Sequence, residues 1–246
     1  MTSLDADDLV RYNRQMLLPG WGSEGQEKVK KARVFVAGAG GLGSPAAMYL
    51  AAAGVGEIRI CDADRVELSN LNRQILHSDE RLGEAKAVSA GKTLRALNPS
   101  ITITTFAEYL DAESVDRIIG EVDVIVDCLD NYETRYLLNA YSIAHHIPLI
   151  HGAIWGLMGQ MTFLYPPETP CLKCFIPTPP PKETFPVIGA TPGVIGCLQA
   201  IEVLKYLTGT GENLKGRLVI FDGEVMSLDS LIIRRVEACP ACGHLT

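Results

Sequence analysis

The chain has 246 residues, 47% of them hydrophobic and 21% charged, and a formal net charge of -7. That composition belongs to a globular protein long enough for a sizeable core, and the acidic balance excludes a broad basic field that would recruit nucleic acid or anionic lipid. No apolar run reaches the roughly 18 uninterrupted residues of a membrane span, and the acidic opening, residues 1–8, has no apolar signal core, so no membrane association and a cytoplasmic location are expected.

Residues 4–14 predict a short acidic helix that sets Arg11 and Arg14 three apart on one face. Pro19-Gly20-Trp21-Gly22 breaks the chain, and residues 25–31 predict a second short helix. This opening stretch has little core of its own and is expected to pack on the main body or on a partner subunit.

Residues 33–37 are short, apolar and partly β-branched, as a buried parallel strand should be. Gly38-Ala39-Gly40-Gly41-Leu42-Gly43 follows at once and matches G-x-G-x-x-G, with Gly38, Gly40 and Gly43 in the glycine positions. An Ala-rich helix over 44–53 comes next, Gly54 suits its C-cap, and residues 57–61 predict a strand with Asp62 at its carboxyl end. Glycines let the backbone approach phosphate oxygens, and a helix N-terminus favours an anion. An acid after the second strand can accept hydrogen bonds from ribose hydroxyls. The order strand, turn, helix, strand, acid points to a nucleotide rather than a plain β-to-α connector, and leaves NAD and ATP both open.

Residues 63–74 form a polar loop without helical or strand period, and loops at strand carboxyl ends face the ligand crevice of such sheets. In it Asn70 can donate an amide hydrogen bond and Arg73 can fork onto phosphate oxygens; an ordinary surface loop is the other reading. A helix opens with Gly83-Glu84-Ala85-Lys86 and runs to about Leu97, before Asn98-Pro99. Lys86 in its first turn opposes the helix dipole, a misfit that a phosphate would relieve and that solvent would tolerate. Strands at 101–106 and 122–128 flank a helix at 112–119, and another helix runs from Asp130-Asn131 to His145. Asp130 reads either as that helix's N-cap or as a carboxylate holding Mg²⁺ beside a triphosphate. Strands at 148–152 and 161–165 follow, and His145, His146 and His151, lacking metal-ligand spacing, are assigned to packing or surface.

Seven cysteines in a cytosolic chain argue for metal or redox chemistry before disulfides. Cys171-Leu-Lys-Cys174 and Cys239-Pro-Ala-Cys242 supply four thiolates for a closed, structural Zn²⁺ site. Two redox pairs are the rival, against which the second pair lacks a following helix. Cys61, Cys128 and Cys197 sit in apolar runs and read as core thiols. Between the two pairs, the Pro-rich stretch 175–186 predicts a mobile loop or crossover, residues 193–207 a helix, and residues 218–221 and 228–233 the last strands.

RYNRQ at 11–15, GAGGLG at 38–43, the strand ending in Asp62, SNLNRQ at 69–74, GEAK at 83–86, DCLDN at 127–131, the paired C-x-x-C and GVIGCLQA at 193–200 together span nearly the whole chain. In this pattern the sequence resembles the MoeB/ThiF/HesA family, bacterial relatives of ubiquitin-activating enzymes, and is nearest to its molybdopterin-type members. The resemblance implies an α/β fold: a Rossmann-like, doubly wound, mostly parallel sheet with a C-terminal β extension stapled by a zinc site of four cysteines. It implies one E1-like adenylation domain, residues 1–246, with an N-terminal helical segment (1–32), a nucleotide-binding core (33–153) and a carrier-binding and zinc region (154–246). The implied reaction is ATP-dependent adenylation of the C-terminal glycine carboxylate of a small β-grasp sulfur carrier protein ending in Gly-Gly, for sulfur transfer in cofactor biosynthesis. Gly41 would approach the phosphates and Asp62 the ribose; Asn70, Arg73 and Lys86 would bind the triphosphate and Asp130 would hold Mg²⁺. Arg14 would reach across a homodimer into the neighbouring site, and the zinc would be structural.

One departure stands out. The thiazole branch, and often the molybdopterin branch, carries a cysteine in the crossover after the first C-x-x-C. This sequence has none between Cys174 and Cys197, and has Lys182-Glu183-Thr184 in that neighbourhood. A covalent carrier–enzyme intermediate is therefore not expected. The acyl-adenylate is expected to pass to a sulfur donor, a separate protein since no sulfurtransferase extension follows Cys242. Two other function classes compete. An NAD-dependent oxidoreductase would use the glycine turn but leave Arg73, Lys86 and Asp130 without a task, and a non-enzymatic zinc-stapled interaction protein would leave the whole nucleotide pattern unused. A family branch acting on modified tRNA is disfavoured by the acidic charge and the paired cysteines. The carrier and its pathway stay open among molybdopterin, thiazole, cysteine and peptide-antibiotic routes.

Overall fold

The computed structural model describes residues 4–181 and 186–245. Among them, eight strands form one sheet: β1 (Arg33–Ala37), β2 (Glu57–Cys61), β3 (Thr102–Phe106), β4 (Val124–Asp127), β5 (Leu149–Trp155), β6 (Met158–Leu164), β7 (Arg217–Asp222) and β8 (Ser227–Ile232). Their order is β3-β2-β1-β4-β5-β6-β7-β8, parallel from β3 through β5 and antiparallel from β5 through β8. The chain winds outward from β1 to β3, then crosses back to lay β4 on the other side of β1. Ligands of such sheets bind outside the strand carboxyl ends at that reversal.

The helices are α1 (Ala6–Arg11), α2 (Asn13–Met16), α3 (Gly22–Lys31), α4 (Gly43–Ala53), α5 (Lys86–Leu97), α6 (Val115–Ile119), α7 (Tyr132–His145), α8 (Leu172–Phe175) and α9 (Ala190–Thr208). Successive side chains of a strand point to opposite faces, so β1 sends Val34 and Val36 into one core with α4, α5 and α9. Phe35 and Ala37 go into the other core with α6 and α7. Both faces being covered is why these strands read as unbroken apolar runs. The Ala-rich face of α4 lets α9 come close, and a Cβ on Gly196 would stand 2.5 Å from Leu42 O and 2.6 Å from Pro45 Cγ.

Several boundaries differ from the sequence reading for identifiable reasons. The helix expected over 4–14 is broken at Tyr12, buried to 2% exposure with its hydroxyl accepting from Asn98 Nδ2 at 2.8 Å. Arg11 and Arg14 therefore lie on separate helices rather than on one face. The opening stretch does pack on the main body: Gln15 and Gln26 both donate to Ala53 O, at 2.8 and 3.0 Å, where α4 ends on left-handed Gly54. Strands β5 and β6 run longer than expected, because Gly156 at φ +58° closes a hairpin whose tip lacks polar–apolar alternation. The short α8 inside the first C-x-x-C has no counterpart in the sequence reading. Of the predicted crossover, residues 176–181 contain no helix or strand, and Lys182-Glu183-Thr184 lies outside the described residues. No described helix is long and apolar enough to cross a membrane.

Candidate functional site

The glycine turn lies where β1 and β4 end together. Gly38 has φ +100°, and a Cβ there would stand 2.8 Å from Cys128 O; a Cβ on Gly43 would stand 1.9 Å from Gly38 O. Both positions therefore require glycine for the turn to close. Ala39 N donates to Asp62 Oδ2 at 2.8 Å, and Asp64 N donates to Asp62 Oδ1 at 2.9 Å, so the acid at the end of β2 is fixed against the turn. Burial pushes the Asp62 carboxyl up, opposed by the Ala39 N–H and by the nearby charge of Lys86.

Lys86 is the first residue of α5 and only 6% exposed. Its Nζ pairs with Asp64 Oδ2 at 2.9 Å, so a cation stands beside the Asp62 loop at a helix end where solvent alone would not favour it. In the loop between, Asn70 is buried, and its Oδ1 accepts from Glu67 N at 3.1 Å, closing a 3-10 turn over Leu68–Asn70. The region expected to be irregular thus has a defined turn. It presents Arg73, whose Nη1 donates to Ser69 O at 2.8 Å and Asn72 Oδ1 at 2.9 Å. Arg73 Cγ lies 3.7 Å from where a Cβ on Gly41 would stand, and Pro192 of α9 lies 3.2 Å from the same point.

The structure thus brings together Gly38, Gly40, Gly41 and Gly43 with Asp62, Arg73 and Lys86. Asp130 stands exposed two residues beyond Cys128, at the carboxyl end of β4, and pairs with no described residue. It is not the N-cap of α7; that role belongs to Asn131, whose Oδ1 accepts from Thr134 N at 2.9 Å because the chain is still extended there, at φ -123° and ψ 141°. Arg14 is exposed on α2 and makes no ion pair with a described residue.

Local spacing does not single out a buried polar network under this loop. Asp127, fully buried, accepts from His151 Nδ1 at 2.7 Å and Leu129 N at 3.1 Å, and forms an ion pair with Arg135, whose Nε stands 3.5 Å away. Arg135 also donates to Leu129 O at 2.5 Å and Gly152 O at 2.8 Å, and Gln199 Nε2 donates to Asp127 O at 2.8 Å. Burial disfavours the Asp127 charge, yet Arg135 and His151 hold its carboxyl below the usual range. His151, assigned from sequence to packing or surface, is thus a buried hydrogen-bonding partner. His77 is another: Nε2–H donates to Ala39 O at 2.9 Å, and Nδ1 accepts from Ser89 Oγ at 2.9 Å.

Far along the chain, the Sγ atoms of Cys171, Cys174, Cys239 and Cys242 all lie within 4.8 Å of one another. The pairs Cys171–Cys239, Cys171–Cys174 and Cys174–Cys242 stand at 3.6, 3.9 and 3.5 Å. These separations are far from the roughly 2.05 Å of a disulfide and close to the about 3.8 Å that tetrahedral Zn–S bonds impose. Burial and the neighbouring thiols push Cys171 and Cys242 up, whereas for Cys239 the burial penalty is outweighed by the backbone N–H groups of Ala241 and Cys242, which bring its thiol down to about 7. That donor set fits a metal-bound thiolate. Cys61 and Cys128 are buried, and burial pushes both thiols up, Cys61 to about 12, as inert core positions.

Residues 12–241 match the ThiF family. The SAMP-activating enzyme E1 of Haloferax volcanii is 44% identical across 98% of this chain and 92% of its own. The sulfur carrier protein adenylyltransferase of Thermus thermophilus is 43% identical across 96% of this chain and 92% of its own. Among solved structures, E. coli MccB with ATP superposes at a TM-score of 0.84 with 24% identity, over 95% of this chain and 74% of that one, a likeness of fold.

Proposed function

Because the chain belongs to the ThiF family, we propose that it activates a small ubiquitin-like sulfur carrier protein by ATP-dependent adenylation of the carrier's C-terminal carboxylate. It is an enzyme, an adenylyltransferase. The observation that carries the reading is the approach of the half-buried Arg73 to Gly41, with the buried cation Lys86 beside the loop of Asp62. A dehydrogenase needs the turn and the acid after β2, but not these two positive charges.

In the reaction a carboxylate must approach an α-phosphate that repels it. The carboxylate oxygen forms the new bond to phosphorus, the bond to the β-phosphate breaks, and pyrophosphate leaves with the electron pair. Arg73 and Lys86 reduce the repulsion and stabilise charge on the leaving group, Lys86 exchanging or sharing its Asp64 contact as the phosphates arrive. Gly41 and its neighbours accept the phosphates, Asp62 hydrogen-bonds the ribose, and Asn70 directs its amide, which bonds to no described residue, at the triphosphate. Asp130, an exposed carboxylate without a partner among the described residues, suits Mg²⁺, which when bound would neutralise phosphate charge.

Around Arg14 the side chains of Leu9, Val10, Leu17 and Leu18 are exposed; a second copy covers them in a homodimer, delivering Arg14 to the neighbouring site. The cysteine cluster holds structural zinc, and the C-terminal region, residues 154–246, receives a carrier with a Gly-Gly tail. With no cysteine between Cys174 and Cys197, the sulfur of a separate donor protein attacks the carbonyl carbon of the acyl-adenylate directly, and AMP leaves with the electron pair. Seven unbridged cysteines suit a reducing, cytoplasmic setting.

The test is ATP–pyrophosphate exchange with a panel of small proteins ending in Gly-Gly. At least one should stimulate exchange, and Arg73→Ala should lower it about 10²–10³-fold without a change in melting temperature. If no carrier stimulates exchange while NADH binds tightly, the reading fails and an oxidoreductase is favoured.

A further inference from the structure

Helix α8 carries Cys174 and starts beside Cys171. A single turn cannot hold itself in water, and the side chain of Cys171 does not cap its start. The cap comes from α7 instead: Leu172 N donates to Asn139 Oδ1 at 2.8 Å in the buried interior. Three residues on, along the same face of α8, the Phe175 ring meets the His151 ring edge-on, with centroids 6.3 Å apart and planes at 64°. From these two contacts, two arms run to one residue. Asn139 stands one turn after Arg135 on the buried face of α7, and Arg135 donates to Leu129 O at 2.5 Å. His151 holds Asp127, and Asp127 accepts from Leu129 N at 3.1 Å. Leu129 directly precedes Asp130. The arms also meet each other, through the Arg135–Asp127 ion pair and the bond from Arg135 to Gly152 O.

Asn139 Nδ2 and His151 Nε2 are buried and bond to no described residue. An apolar side chain at either place would avoid that penalty, so stability alone does not explain them. We propose that Asn139 and His151 couple the cysteine cluster to the Asp130 loop, so that zinc on the thiolates and a nucleotide–Mg²⁺ complex at Asp130 each raise the affinity for the other. The inference rests on the zinc and ATP readings above and adds a link that neither requires. The two-state element is α8, ordered when a metal ion gathers the four thiolates and released when they part. Once released, it withdraws Leu172 from Asn139 and Phe175 from His151. Leu129 is then gripped less firmly and Asp130 is held less well in place. Linkage makes the effect reciprocal.

The experiment measures zinc affinity of the full chain by competition with a zinc-selective chelating dye. It is run alone, with a non-hydrolysable ATP analogue as its Mg²⁺ complex, and with adenosine. In the wild-type chain the analogue should raise zinc affinity at least about five-fold, the low end of coupling between sites. Adenosine, which brings no phosphates to Asp130, should leave it within about two-fold. Asn139→Leu removes the cap on Leu172 N, and His151→Asn keeps a donor for Asp127 while removing the ring that meets Phe175. Each should shrink the ratio of zinc affinities with and without analogue, and the double variant should bring it to about one. Residues that only support the fold would weaken zinc binding equally in both conditions and leave the ratio unchanged; that result overturns the inference. So does a ratio of about one in the wild-type chain while both ligands bind, which leaves the adenylation reading intact. If the wild-type chain binds no analogue, or holds no zinc, the corresponding reading fails and the inference with it. If the double variant does not fold, Phe175→Leu, which removes the ring contact and keeps the hydrogen bonds of both arms, decides in its place.

Discussion

Replacing Arg135 by Met keeps a long apolar stem and removes only the guanidinium, which is 4% exposed beneath the loop that presents Asp130. Asp127, with no solvent exposure, then retains only His151 at 2.7 Å and Leu129 N at 3.1 Å, and Leu129 O and Gly152 O lose their donor. The uncompensated charge dominates: breaking one side of a buried pair costs about 3–5 kcal/mol. At about 2–4 °C per kcal/mol for a chain of this size, the melting temperature should fall by about 10 °C. Thermal and urea unfolding measure this, with Asp127→Asn and the double variant closing a cycle. The double variant should recover at least about 1 kcal/mol relative to additivity, as contacting residues do. A fall of less than about 3 °C, or strict additivity, would refute the argument. Leu129 is gripped at both its N–H and its C=O, so its release should also loosen the peptide carrying Asp130 and depress exchange activity beyond the loss of folded protein.

Two further outcomes are expected. Burial lowers the pKa of His77 and of His151, so the unfolded chain binds protons that the folded chain refuses. Stability is fully present above pH about 6.5, the unfolded-state value, and is lost as pH falls toward the depressed folded-state values, each group contributing up to about 1.4 kcal/mol per pH unit. Urea midpoints at pH 7.5 and 5.5 measure this, and a flat profile would contradict it. For the cysteine cluster, elemental analysis should find about one zinc per chain, and a strong chelator should lower the melting temperature sharply, since structural zinc is worth on the order of 10 kcal/mol in small peptides. A metal-free native protein whose four clustered thiols react freely, with an unchanged melt, would exclude the site.

Much of this architecture is carried by local signals. The apolar run of β1, the glycine spacing, the Ala-rich α4 and the acid after β2 lie within 30 consecutive residues, where strand period, steric freedom and capping act on neighbours along the chain. The C-x-x-C pairs are legible for a related reason, since two thiolates three apart can bind one metal ion, and two such pairs fill its four positions. Asp130 is ambiguous in the sequence because an acid and an asparagine stand side by side at a helix start, and either residue can cap; the extended backbone at Asn131 assigns the cap.

What the sequence by itself determined was the nucleotide-type βαβ unit, the metal-type cysteine pairing and a set of polar residues at strand carboxyl ends. Only the tertiary structure decided which of those residues meet. His77 finds its acceptor 38 positions away, Arg135 finds Gly152 17 away and Gln199 finds Asp127 72 away. Contacts at such separations arise from sheet order and helix packing, which local periodicity does not encode.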